Sequence, residues 1–87
     1  PNDIEPNTAN TWVTVKSMHN NFLGEQWKKG ALAGAAPADA FDVQVGLGST
    51  MTGVDVLEGR MLITVKLALV RPAEFIVVTF QQQMQKS

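Results

Sequence analysis

Two apolar-rich runs, residues 61–70 and 74–80, are separated only by Arg71, Pro72 and Ala73. Ile, Val, Leu and Phe dominate both runs. These side chains suit a pleated, half-buried surface, so the pair predicts two strands joined by a tight turn. Alternation along them is weak, which puts apolar groups on much of both faces. A chain of 87 residues forms one small domain at most, with little material left to cover two sheet faces. A neighbouring chain is expected to supply the cover or an extra strand. Assembly is therefore the leading question.

Composition narrows the alternatives. Cysteine is absent, so neither a disulfide nor a thiolate metal site can reinforce the core. A formal charge of −1 gives no long-range attraction for nucleic acid or an acidic membrane. No run approaches the roughly 20 apolar residues of a membrane span, and the first residues lack the basic and apolar regions of a signal peptide. The chain begins at Pro1, which suggests a piece of a longer protein. The acids gather mildly in residues 31–60, where Asp39, Asp42, Asp55 and Glu58 face Arg60 alone. That distribution suits an ordinary solvated surface.

Residues 1–7 are polar, carry two prolines and suggest an incoming linker. Thr8 or Asn10 can cap a helix running to about Lys29, with Trp12, Val15, Met18, Phe22, Leu23 and Trp27 near helical spacing. Lys28 and Lys29 would meet the negative end of the helix dipole, and Gly30 can close the helix. Pro37 fits the start of a short helical turn ending near Ala40. Phe41, Val43 and Val45 then alternate with Asp42, Gln44 and Gly46, the cleanest strand signature in the chain. Residues 46–59 suggest a long loop, followed by the two strands. The predicted fold is α+β: a small two-layer sandwich, one main helix on a mostly antiparallel sheet, with a C-terminal strand arm. The domain would span residues 8–80, with 81–87 as arm or tail. Trp12, Val15, Phe22, Phe41 and Val43 are the expected core.

Chemistry finds little support. His19 is the single histidine, and Glu25, six residues on, cannot share its turn. Zinc would need several carboxylates around one imidazole, so neither a catalytic set nor a metal site is expected. Asp55 and Glu58 could pair for acid–base work, but a loop-capping aspartate or a salt link to Arg60 accounts for them better. Residues 46–50, Gly-Leu-Gly-Ser-Thr, lack the lysine of a phosphate loop. Phe75 and Phe80 fall on opposite faces of the last strand, unlike the exposed aromatic platform of an RNA-binding sheet. No cofactor is expected.

Five stretches taken together carry a resemblance. They are Glu5-Pro6-Asn7; the helix with Trp12, Phe22, Leu23 and Trp27; residues 30–37 followed by Ala40-Phe41; Gly59-Arg60 opening a strand; and residues 71–76, Arg-Pro-Ala-Glu-Phe-Ile. In this order they resemble the C-terminal domain of contractile tail sheath proteins, of bacteriophages or phage-tail-like particles such as contractile bacteriocins and extracellular injection systems. Full sheath proteins are several times longer. The resemblance implies a structural subunit, assembled in the bacterial cytoplasm into a virion tail or a released particle. Its partners would be neighbouring sheath subunits, an inner tube and a baseplate, with no nucleic acid and no membrane embedding. Contraction would drive the tube through a target envelope. It further implies that Ile76, Val77, Val78, Thr79, Phe80, Gln81, Gln82 and Gln83 form an intersubunit strand. Lys16, Lys28 and Lys29 would be tube-facing candidates. A baseplate or other structural component of the same machine is the alternative, with a small soluble enzyme or ligand-binding domain further off. Concentration-dependent size separates the classes, because an open strand edge associates while an enzyme shows a concave pocket.

Overall fold

The computed structural model describes residues 5–86; residues 1–4 of the expected linker and Ser87 of the expected tail lie outside them. Helix α1 spans Ala9–Lys28, α2 Pro37–Ala40 and α3 Gly53–Leu57, with strands β1 Phe41–Gln44, β2 Arg60–Ala68 and β3 Phe75–Gln83. The three strands form one antiparallel sheet in the order β1-β2-β3, with the main helix packed on it, as the sequence predicts.

Local chemistry sets the ends of α1. Thr8 holds the extended N-cap conformation without a side-chain bond. At the other end Gly30 adopts φ +82, its N–H bonding to the Trp27 carbonyl while Ala31 N–H reaches Gln26. This is a Schellman closure, which needs a left-handed residue and so favours glycine. Pro37 occupies the first turn of α2, where its missing N–H costs nothing.

Register sorts the sheet into two faces. Val43, Val65 and Val78 lie in one row, with Phe41, Leu67 and Ile76 beside them and Ile63 next to Phe80. This inner face meets α1 through Leu23, while Met61 (0% exposed) and Val43 (1%) are the most deeply buried large side chains. Each such burial is worth about 1.5–3 kcal/mol. On the outer face Thr64 meets Thr79, and the Lys66 ammonium stands 4.8 Å over the Phe75 ring.

Three details depart from expectation. The stretch expected as a long loop contains α3, held by a reciprocal capping box between Thr52 and Asp55. The loop before it is anchored by Thr50, whose hydroxyl donates to the Leu62 carbonyl at 2.6 Å. Residues 81–83, expected as part of an arm or tail, continue β3 within the chain, because β2 begins at Arg60 and its first residues need partners: Leu62 pairs with Gln81, Met61 with Gln82 and Arg60 with Gln83. Phe22, expected in the core, is 62% exposed. It lies about 100° around the helix from buried Leu23, on the flank where α1 does not reach β3. Trp12, Val15 and Phe41 are partly buried against the core that includes Val43.

Candidate assembly surface

The segments around Asn7 and Gln85 meet at one end of the sheet. Asn7 is buried; its amide donates to the Arg60 carbonyl at 3.1 Å and its oxygen accepts from Trp12 Nε1 at 2.7 Å. Beside it Gln85 N–H donates to the Glu5 carbonyl at 2.9 Å, and Met84 N–H donates to Gly59 at 2.6 Å. Met84 itself is 2% exposed. The sequence signals neither the clasp nor its role, since a lone buried Asn is recognised only once its partners are known.

β3 is paired on one side only among the described residues. The eight residues expected as an intersubunit strand are laddered on β2 of their own chain, so their pairing there is intramolecular. What they leave open is the opposite edge. In an antiparallel ladder, N–H and C=O groups of successive residues point alternately to either side. Because Met84 N–H points to Gly59, the groups of Val78, Phe80 and Gln82 face β2. Those of Val77, Thr79, Gln81 and Gln83 face outward, as does the N–H of Gln85 just beyond the strand, which Glu5 takes. No charged residue occurs from Phe75 through Gln85, and charge is one of the usual guards of an exposed edge.

Beside that edge runs an apolar groove between α1 and β3. Its volume is about 450 Å³, lined by Met18, His19, Phe22, Leu23, Val65, Leu67, Val78 and Phe80. The His19 ring stacks on Phe80 with centroids 6.2 Å apart. Met18 is 65% exposed and Phe80 48%. A second cavity of about 530 Å³ shares Met18 and His19 and extends the groove toward Glu5 and Met84.

The lysine candidates do not form one cluster. Lys28 and Lys29 are exposed at the end of α1, Lys28 within 3.6 Å of Glu25. Lys16 is half-buried and lies about 18 Å away along the axis, on another face of the helix.

The Asp55 carboxylate caps α3 and meets Arg60. Asp55 accepts from Thr52 N–H at 2.9 Å and from Arg60 Nε at 2.8 Å. The Thr52 main-chain bond, then the Arg60 side chain and the Thr52 hydroxyl, hold its pKa below the ordinary 3.8. A carboxyl depressed by folding contributes stability above its unfolded pKa and loses it as pH falls through the lower folded value. Melts recorded downward from about pH 5 should therefore show a loss that Asp55→Asn flattens. Identical acid profiles for parent and variant would refute this linkage. Glu58 instead ends α3, its carbonyl accepting from the Gln83 side chain at 3.3 Å. Among the described residues no group of three or more His, Cys, Asp or Glu could hold a metal, and no helix is long and apolar enough to cross a membrane.

No protein-family model matches the sequence, and no curated protein does. A solved structure is similar: the cryo-EM structure of the anti-feeding prophage (AFP) baseplate, 6-fold symmetrised. One of its chains is 46% identical with a TM-score of 0.75, over 92% of the present chain and 22% of that one. The chain thus spans about a fifth of the protein it matches. With likeness in both sequence and fold, it is a structural homologue of a component of that phage-tail-like particle.

Proposed function

We propose that this chain is a structural element of a contractile phage-tail-like particle, working at or next to the baseplate by joining subunits. The observation that carries this reading is the match to a chain of the AFP baseplate. The uncharged open edge of β3 suits the role, since strand addition draws strength from main-chain bonds and register from alternating side chains. The sheath C-terminal domain is the second reading. It is favoured by the five sequence stretches and by residues 76–83, whose free edge would take a strand from a neighbour. In either case assembly takes place in the bacterial cytoplasm.

The test is Thr79→Pro in the particle-forming protein. Thr79 N–H faces the open edge, so proline removes a donor there and spares the ladder to β2. Gln82→Pro would instead break an internal bond, because its N–H faces Met61. Folded subunits that no longer build particles are expected from Thr79→Pro; intact, contracting particles would contradict the joining role.

Lys28 and Lys29 are proposed to dock on an acidic tube surface, Lys16 being too far round the helix to share that contact. Reversing both to Glu should change domain stability by only about 1 kcal/mol, chiefly through the helix dipole. Attachment to the tube should weaken far more, because the contact repeats in every subunit. Co-sedimentation of sheath with tube checks this, and undiminished binding by the double variant would count against the docking role.

A further inference from the structure

We propose that the free chain closes its own open edge by pairing β3 with β3 of a second copy, giving a two-fold symmetric dimer with a continuous six-stranded sheet. This deepens the joining role, naming what occupies the edge when no other strand is present.

The geometry is self-complementary. An antiparallel pair centred on Thr79 of both copies overlaps residues 76–82 with themselves, Ile76 facing the other Gln82, and stops short of Gln85, whose outward N–H is already taken by Glu5. The outward groups of Val77, Thr79 and Gln81 then meet their counterparts, Thr79 its own copy and Val77 the other Gln81, as hydrogen-bonded antiparallel pairs require. The same register sets Val78 against Phe80 on the inner face, an aromatic and β-branched combination that favours pairing. No like charges oppose each other anywhere along the strand, since β3 carries none. A closed two-fold contact also consumes both edges, so it stops at two copies where a head-to-tail contact would propagate.

Burial sets the scale. Phe22 and Phe80 are 62% and 48% exposed on the flanks of the groove. Covering what remains of these two rings removes about 200 Å² per copy. Met18 and the strand backbone add to that, against about 800 Å² per partner in a standard stable interface. The dimer is accordingly reversible at working concentrations, and a competing strand can displace it.

Sedimentation equilibrium of the 87-residue chain and of Thr79→Pro tests this, together with amide exchange at low and high concentration. The parent should pass from monomer to dimer. The amides of Val77, Thr79 and Gln81 should gain at least tenfold protection in step, while those of Val78, Phe80 and Gln82 stay protected throughout. Thr79→Pro should remain monomeric with the Val78 and Phe80 amides still slow, which shows that it folds. A parent monomeric at all concentrations, open-ended growth beyond two copies, or a Thr79→Pro dimer would each overturn the proposal. None of these results touches particle assembly by the longer protein, which the preceding experiment reads separately.

Discussion

Cutting Trp12 back to alanine is expected to cost about 3–5 kcal/mol, the usual range for removing a large aromatic from a packed site. Two losses combine. The indole packs partly buried against the core, and its Nε1 is the donor that satisfies the buried Asn7 oxygen at 2.7 Å. Trp12→Phe separates them: bulk is largely kept, but an unsatisfied buried acceptor remains, worth about 1–3 kcal/mol. Phe22→Ala, on the same helix but 62% exposed, should shift stability by no more than about 1 kcal/mol. Denaturant titrations of the three variants check the order Trp12→Ala, Trp12→Phe, Phe22→Ala. Equal losses at positions 12 and 22 would contradict the placement of α1.

Gly59→Ala should be comparably severe for a different reason. Gly59 sits at φ +75, and a Cβ there would collide with the Met84 carbonyl oxygen and lie 2.9 Å from Gln83 Nε2. Left-handed backbone costs a residue with a Cβ about 1–2 kcal/mol, and overpacking against main chain adds about 1–3 kcal/mol. Together these approach the whole margin of a small domain, about 5 kcal/mol. The damage should spread from Met84 to the pairing of Gln85 with Glu5, so exchange at those amides should rise first. Gly24→Ala is the control. That glycine is helical with nothing within 4 Å of a built Cβ, so alanine should stabilise by about 0.5–1 kcal/mol. Thermal melts in which Gly59→Ala matches the parent would remove the clasp from this account.

What the sequence made legible was whatever has a period or a terminator. The helix from Ala9, the Pro37 turn and the alternation of Phe41 and Val43 all announce themselves, as do the two strands flanking Arg71-Pro72-Ala73. That Gln81, Gln82 and Gln83, implied by the resemblance to be a strand between subunits, pair with β2 of their own chain does not, because polar side chains give no sign of a backbone partner until β2 is in place. Helix α3 is hidden by its shortness and by the Gly, Ser and Thr before it, although Thr52 and Asp55 stand at capping-box spacing. Phe22 misleads because Leu23, next to it, takes the core position, and helical spacing cannot decide between neighbours near the edge of an apolar stripe. The candidate surface was half legible: the apolar uncharged strand could be seen, but not which of its edges is already taken.

An electron cryomicroscopy map of the particle built from the longer protein containing this chain would show what lies against the open edge of β3. This module is expected within the particle wall, at or beside the baseplate, with a strand from another subunit hydrogen-bonded to Val77, Thr79 and Gln81. A particle lacking the module, or one in which the outer edge of β3 faces solvent in every subunit, would contradict it.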